Sequence, residues 1–237
     1  MRNKIFIFLI SFIFSFSCKK ENLVEHRFSA LAPFNKIELN STFDVYLSED
    51  TSFAIKIIAD EKIIENINFN IDNNVLSITN TTKLKWLTPE KNNVEIYINS
   101  KQLSEINVNR TCNIKTLNPI TSNDFGLILK DKANEATLEL NCHNFYYWNN
   151  SPCGGKLALS GKTDELAIWN FALMSVDAKN LIATNAHVEN SSKGNCEVNV
   201  LNKFEYSIFG DGNIQLYGTP TEIIKLQVIS SGQLIKY

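Results

Sequence analysis

From about Ile106 to the C-terminus, apolar residues return at an interval of 20. Val108, Ile128, Trp148, Ile168, Val188, Ile208 and Val228 stand at that step, and all are apolar in a chain that is only 44% hydrophobic. Two residues earlier the same step meets Ile106, Gly126, Tyr146, Leu166, Ala186, Tyr206 and Leu226, again without a charge. A fixed period of about 20 residues marks a solenoid, in which each repeat is one coil stacked on the last. The alternation within each coil is that of a strand with one face turned inward. Further strand sequence follows in the second half of the coils, at Thr137–Leu140, Lys156–Leu159 and Glu197–Val200. The pattern predicts an all-β fold, a single-stranded parallel β-solenoid (β-helix) with coils of about 20 residues. The two apolar columns face the core. Asn150, Asn170 and Asn190 share a corner position, where asparagine tolerates left-handed backbone and can bond its counterpart one coil away.

The first third does not keep that step, since Thr88 lies 20 before Val108. Phe34–Leu39, Phe43–Leu47 and Phe53–Ile58 read as strands, and Asp60–Asn66 as a short helix with Ile63, Ile64 and Ile67 on one side. Asn68–Ile71, the turn Asp72-Asn73-Asn74 and Val75–Ile78 read as a hairpin. Thr79–Asn93, with Trp86 and Pro89, is irregular before Val94–Ile98 resumes the strands. An end coil would expose an open strand edge, so this part is expected to form an N-terminal cap.

The extreme N-terminus reads as an address. Arg2 and Lys4 precede an apolar run from Ile5 to Phe16, too short for an ordinary transmembrane helix, which ends at Ser15-Phe16-Ser17-Cys18. A small residue before cysteine after such a run resembles the lipobox of bacterial lipoproteins, which implies lipidation of Cys18 and removal of residues 1–17. Ser15 stands where leucine is usual, and Ser15 with Ser17 also satisfies an ordinary secretory cleavage site. Residues 18–30 are then the lipidated cysteine and a tether, and 31–237 the folded domain. Lys19-Lys20-Glu21 directly after the cysteine resembles the surface-export signals of Bacteroidetes lipoproteins. The expected location is the outer membrane, at the cell surface or facing the periplasm, with the lipid as the membrane contact.

Four cysteines remain: Cys112, Cys142, Cys153 and Cys196. Export permits disulfides. Cys112 and Cys153, however, lie two coils apart, nearly 10 Å at about 4.8 Å per strand, beyond the roughly 7 Å a bridge spans. Cys142 with Cys153 is the only pairing local in sequence, and the reading preferred is four buried small apolar residues. Formal net charge is −2, from 23 basic and 25 acidic residues. Loss of Arg2 and Lys4 leaves the mature chain near −4, which argues against nucleic acid as a partner.

Phe34-x-x-Ile37-x-Leu39, Phe43-Asp44-Val45, Leu103-x-x-Ile106-x-Val108 and the closing Phe209-Gly210-Asp211-Gly212-Asn213, followed by Tyr217-Gly218-Thr219-Pro220, resemble the head GIN domain of auto-transporter adhesin type. The resemblance covers roughly Phe34 to Tyr237 and implies a parallel β-solenoid with no catalytic residues to carry over. Arg110-Thr111-Cys112-Asn113, Lys130-Asp131-Lys132-Ala133 and Asn190-Ser191-Ser192-Lys193 stand where the family repeats Ser-Gly-Ser-Gly-Asp.

No serine, cysteine or carboxylate has a meaningful spacing to His26, His143 or His187, and Asp131, Asp164, Asp177 and Asp211 share no column. No catalytic residue, metal site or cofactor is therefore expected. Positions between the inward columns carry Tyr147, Trp169 and Phe209, with His187 and Leu129 nearby. That row of outward rings is the candidate ligand-binding face, for a glycan or an envelope protein. The expected function is a membrane-anchored, non-catalytic binding or adhesion module. The alternatives are a structural envelope protein without a small ligand and a polysaccharide-acting β-helix enzyme.

Overall fold

The computed structural model describes residues 22–83, 93–150 and 153–237. Cys18, the leader before it, and Trp86 with Pro89 lie outside the described residues. The strands are β1 (Leu23–Phe28), β2 (Lys36–Leu39), β3 (Phe43–Glu49), β4 (Ala54–Asp60), β5 (Ile67–Asp72), β6 (Val75–Asn80), β7 (Glu95–Ser100) and β8 (Glu105–Val108). They continue as β9 (Cys112–Thr116), β10 (Asp124–Leu129), β11 (Asn134–Asn149), β12 (Gly154–Ser192), β13 (Cys196–Ile208), β14 (Ile214–Tyr217), β15 (Glu222–Val228) and β16 (Leu234–Lys236). Together they form a parallel β-solenoid of about 6 turns with ~21-residue coils. β11, β12 and β13 are long because the chain passes from one wall of the solenoid to the other without leaving the ladder.

Two walls result. The first stacks β2, β8, β10 and the later part of β11, then β12, the later part of β13, and β15, all in parallel. The second stacks β7, β3, β9, the earlier parts of β11 to β13, β14 and β16 in the same sense. Between them the core is filled with side chains, among them Phe125, Phe145, Tyr147 and Phe204, all fully buried. Each such side chain contributes roughly 1.5–3 kcal/mol through its removal from water.

The N-terminal third follows its own pairing. β6 runs parallel to β2, while β5 folds back on β6 antiparallel through Asn73 and Asn74, both left-handed at φ 50° and 62°. That is the hairpin read from the sequence, with asparagine where the turn needs positive φ. The short helix is a single 3-10 turn, Ile64–Asn66, with Ile63, Ile64 and Ile67 buried. β4 lies antiparallel between β7 and β1. Leu23–Phe28, within the stretch expected as tether, instead pairs antiparallel with β4 from Leu23↔Asp60 to Phe28↔Ile55, because β4 offers it an unpaired edge.

The period is not a strict 20. Ile106 pairs with Leu127, Leu127 with Tyr147 and Tyr147 with Ile168, steps of 21, 20 and 21 residues, while Val188 to Tyr206 is 18. A one-residue slip turns every side chain of a strand to the other face. Gly126, Ile128, Tyr146 and Trp148, read as inward, therefore belong to the outer pleat, and Phe125, Leu127, Phe145 and Tyr147 fill the core. From Leu166 and Ile168 through Ile208 the expected columns do face inward. Leu226 is 52% exposed, since the register of β15 against β13 shifts between Lys225 and Gln227.

The corner asparagines move with the slip. Asn149, not Asn150, joins Asn170 and Asn190, and all three are fully buried. Asn149 accepts from the Phe171 amide at 2.8 Å and donates to its carbonyl at 2.9 Å. Asn170 Nδ2 donates to Met174 O at 3.0 Å and to Asn190 Oδ1 at 2.9 Å, and Asn190 Nδ2 donates to Gly194 O and Gly212 O. Asn149 thus binds the next coil, and Asn170 and Asn190 each bind both their own corner and the next coil. Asn190→Ala should cost about 3 kcal/mol, since it strands buried carbonyls. Asn190→Asp should do more harm at neutral pH than near pH 4: a buried carboxylate has its pKa raised, so the penalty grows as pH rises above its unfolded value. Unchanged denaturation midpoints for both variants would refute the ladder's role.

Candidate functional site

The outer face of the first wall carries three columns. Asp124, Asn144 and Glu165 begin one; Glu105, Gly126, Tyr146 and Ala167 a second; Asn107, Ile128, Trp148 and Trp169 a third. Asn185, His187 and Glu189 extend them on β12 and pair with Lys203, Glu205 and Ser207 of β13. Alternation places every one of these side chains opposite a buried neighbour, so the flat sheet itself holds them in a fixed grid.

Two features break the grid's flatness. Tyr146 lies across Gly126, where an added Cβ would sit 2.0 Å from the ring carbon Cζ. Its hydroxyl donates to Glu105 Oε2 at 2.6 Å. Burial pushes Glu105 upward, but the bonds from Tyr146 and Asn107 and the Lys36 ammonium outweigh it and hold the carboxyl below its ordinary pKa. Burial and the hydrogen bond to Glu105 push the Tyr146 phenol well up. Because that ring leans toward Glu105, space opens above Ala167. The resulting recess of about 400 Å³ is bordered by Tyr146, Glu165, Asn185, His187 and Lys203. Asn185 Nδ2 donates to Glu165 Oε1 at 2.7 Å, and Lys203 Nζ meets Glu205 Oε1 at 2.6 Å. The Lys203 hydrogen bond, aided by His187, keeps Glu205 below the usual carboxylate range.

The aromatic row differs from the expected one. Trp169 is outward and half-buried, with its ring 6.1 Å from that of His187. Trp148 pairs with it in the adjacent coil. Neither indole N–H is taken up by a hydrogen bond among the described residues. Tyr147, expected to be exposed, has 0% exposure; the slip turns it inward, and burial pushes its phenol up. Leu129 is likewise buried. Phe209 is half-buried but outside the row: it follows Ile208, which pairs with Asn190, so Ser207 rather than Phe209 stands beside Glu189. The sequence missed Tyr146 and Trp148. The 20-residue step itself hid them, although their neighbours Phe145 and Tyr147 satisfy the alternation equally well.

His143 lies at the corner between the walls, with Nδ1 2.6 Å from Asp164 Oδ2. That bond raises the imidazole's pKa, and both side chains are exposed. The Asp124 and Glu165 carboxylates add to that rise from farther away, but among the described residues no three His, Cys, Asp or Glu side chains gather as a metal site would require. Cys112, Cys142, Cys153 and Cys196 are all buried and free. Burial lifts the Cys112 thiol to about 12, which suppresses the reactive thiolate.

Residues 33–220 match the family described as "Putative auto-transporter adhesin, head GIN domain". The chain belongs to the head GIN domain family. No curated protein matches it. Among solved structures it is similar to a putative adhesin from Bacteroides fragilis NCTC 9343, with 17% identity, TM-score 0.82 and coverage of 92% of this chain and 98% of that one. It is also similar to a putative adhesin from Parabacteroides distasonis ATCC 8503, with 17% identity, TM-score 0.62 and coverage of 92% and 98%. A third is described as a putative lipid binding protein from the same organism, with 16% identity, TM-score 0.66 and coverage of 91% and 97%. These likenesses carry the head GIN fold across nearly the whole chain, and the name of the family points to a surface or envelope setting.

The grid makes a direct prediction. Gly126→Ala should displace the Tyr146 ring, weaken its bond to Glu105 and lower stability by about 1–3 kcal/mol. In a Tyr146→Ala background the same change should cost little. Equal costs in both backgrounds, measured by denaturant unfolding, would mean that the ring does not occupy the glycine's space.

Proposed function

We propose that this head GIN protein is a lipid-anchored, non-catalytic binding module of the cell envelope that engages an extended partner through the outer face of its first wall. The observation that carries the proposal is the outward column Ile128–Trp148–Trp169, with His187 and Tyr146 beside it. Tryptophan and tyrosine concentrate where protein surfaces bind, since each brings large contact area and a polar tip at low entropic cost. A flat parallel sheet presents them without the reorganisation a loop would require. The filled core, from Phe125 to Phe204, favours the outer faces over an interior seat for a lipid chain.

Anchoring is proposed at Cys18, at the outer membrane and on the cell surface. The Lys19-Lys20-Glu21 stretch supports export, and the family's adhesin designation agrees with exposure to the outside. Partners in that setting are glycans and envelope proteins. Trp169 keeps its expected part in the site, joined by Trp148, Tyr146 and His187, while Phe209 is left at the margin.

Two arms test the reading. Cys18→Ala should abolish incorporation of labelled fatty acid and release the chain from the membrane fraction; retention of the label would refute the anchor. On an array of glycans and envelope proteins, Trp148→Ala/Trp169→Ala should lose binding by about tenfold or more, the range of an aromatic hot spot. Retained binding by a variant with unchanged circular dichroism would move the site elsewhere.

A further inference from the structure

Resting on that reading, we infer that the partner of this face is a cationic polypeptide segment, one that lays arginine or lysine side chains on Trp148 and Trp169. The two walls differ in charge. Outward from β8 to β13, the first wall carries Glu105, Asp124, Glu165, Glu189 and Glu205 against Lys203 and His187, with Lys36 of β2 reaching Glu105 from the neighbouring strand. Over the same coils the second wall is balanced, and its Asp177 is clamped at 3.1 Å by Lys156 and 3.3 Å by Lys179. With 23 basic and 25 acidic residues in the whole chain, the acidity of the tryptophan-bearing face comes from placement rather than composition.

Glu189 is the central residue. It precedes Asn190 as Trp169 precedes Asn170, and those two asparagines are bonded across adjacent coils. Glu189 therefore stands one coil from Trp169, with about 4.8 Å between their strands. Among the described residues it has neither a hydrogen bond nor an ion pair. A guanidinium lying on the indole face gains from the ring's quadrupole and reaches that carboxylate in the same pose. Two coil steps from Trp148 to Glu189 span roughly 10 Å, the length of about three residues of extended chain. A second basic side chain on such a segment can meet Glu165 at the recess above Ala167, where Lys203 is already paired with Glu205. Neutral sugars gain from the rings but leave Glu189 unpaired. Acidic glycans and anionic headgroups meet repulsion along the whole face.

The test uses the full chain and a fluorescent octa-arginine peptide, read by anisotropy. Octa-glutamine, a neutral oligosaccharide and a sulfated oligosaccharide serve as comparators. Trp169→Ala and Glu189→Gln should each weaken octa-arginine binding at least about fivefold. Glu139→Gln, on the second wall, should leave it unchanged, and raising salt from about 50 to 300 mM should weaken it. Glu189→Gln keeps the side chain's shape and so tests the proposal even if Trp169→Ala fails to fold. Absence of octa-arginine binding overturns the proposal, as does equal loss in all three variants. If the neutral or sulfated oligosaccharide binds instead and Trp169→Ala removes it, the face stands as the binding site and the cationic partner falls. If no ligand responds to either first-wall variant, both readings fall.

Discussion

Every coil of this solenoid has to turn a corner where the peptide groups leave the regular ladder while remaining buried. An unpaired buried carbonyl or amide costs on the order of 1–3 kcal/mol, and the corner repeats coil after coil. The amides of Asn149, Asn170 and Asn190 meet that demand: Asn149 bonds both backbone groups of Phe171, Asn170 donates to Met174 O and to Asn190 Oδ1, and Asn190 donates to the Gly194 and Gly212 carbonyls. Because Asn170 and Asn190 also bond each other, the corner of one coil sets the height of the next. Over these three corners the column ties each coil of the walls to the next.

The outer face is a consequence of strand register. Once the corner is fixed, the pleat decides which residue of each pair, Tyr146 or Tyr147, Trp148 or Asn149, is seen by a partner. Tyr147 and Asn149 go inward, and Tyr146 and Trp148 go out. Gly126 then matters as the one position in its column without a side chain, which lets Tyr146 lie down and opens the recess over Ala167. Binding surface and core are two sides of one alternation, so the sheet carries its aromatic groups on the most rigid part of the molecule.

Groups of high chemical potential are otherwise subdued. The described cysteines are sealed in the core, with Cys112 and Cys196 pushed up by burial. His143 is held by Asp164 on the surface. What stands out instead is a contrast between walls: ion pairs such as Asp177 with its two lysines neutralise one, and on the other acidic side chains outnumber basic ones, with Glu189 beside Trp169 left without an ion pair among the described residues. Such asymmetry acts on recognition rather than on folding, since exposed charges contribute little to stability but bias which surfaces approach.

The period near 20, the alternation within strands, the hairpin at Asp72-Asn73-Asn74 and the family resemblance were all legible in the chain, because each depends on local chemistry repeated many times. The parallel stacking and the asparagine corner at Asn170 and Asn190 followed from the same repetition. What the sequence could not determine was phase. A coil of 21 residues and one of 20 look alike in composition, yet they differ by one pleat, and in a strand one residue is the difference between core and solvent. In the run Phe145-Tyr146-Tyr147-Trp148 every residue is aromatic, so local pattern had no polar residue to mark the outside. Only the hydrogen-bonded pairing of Tyr147 with Leu127 on one side and Ile168 on the other decides that this ring is core, and with it which aromatic side chains a partner can touch.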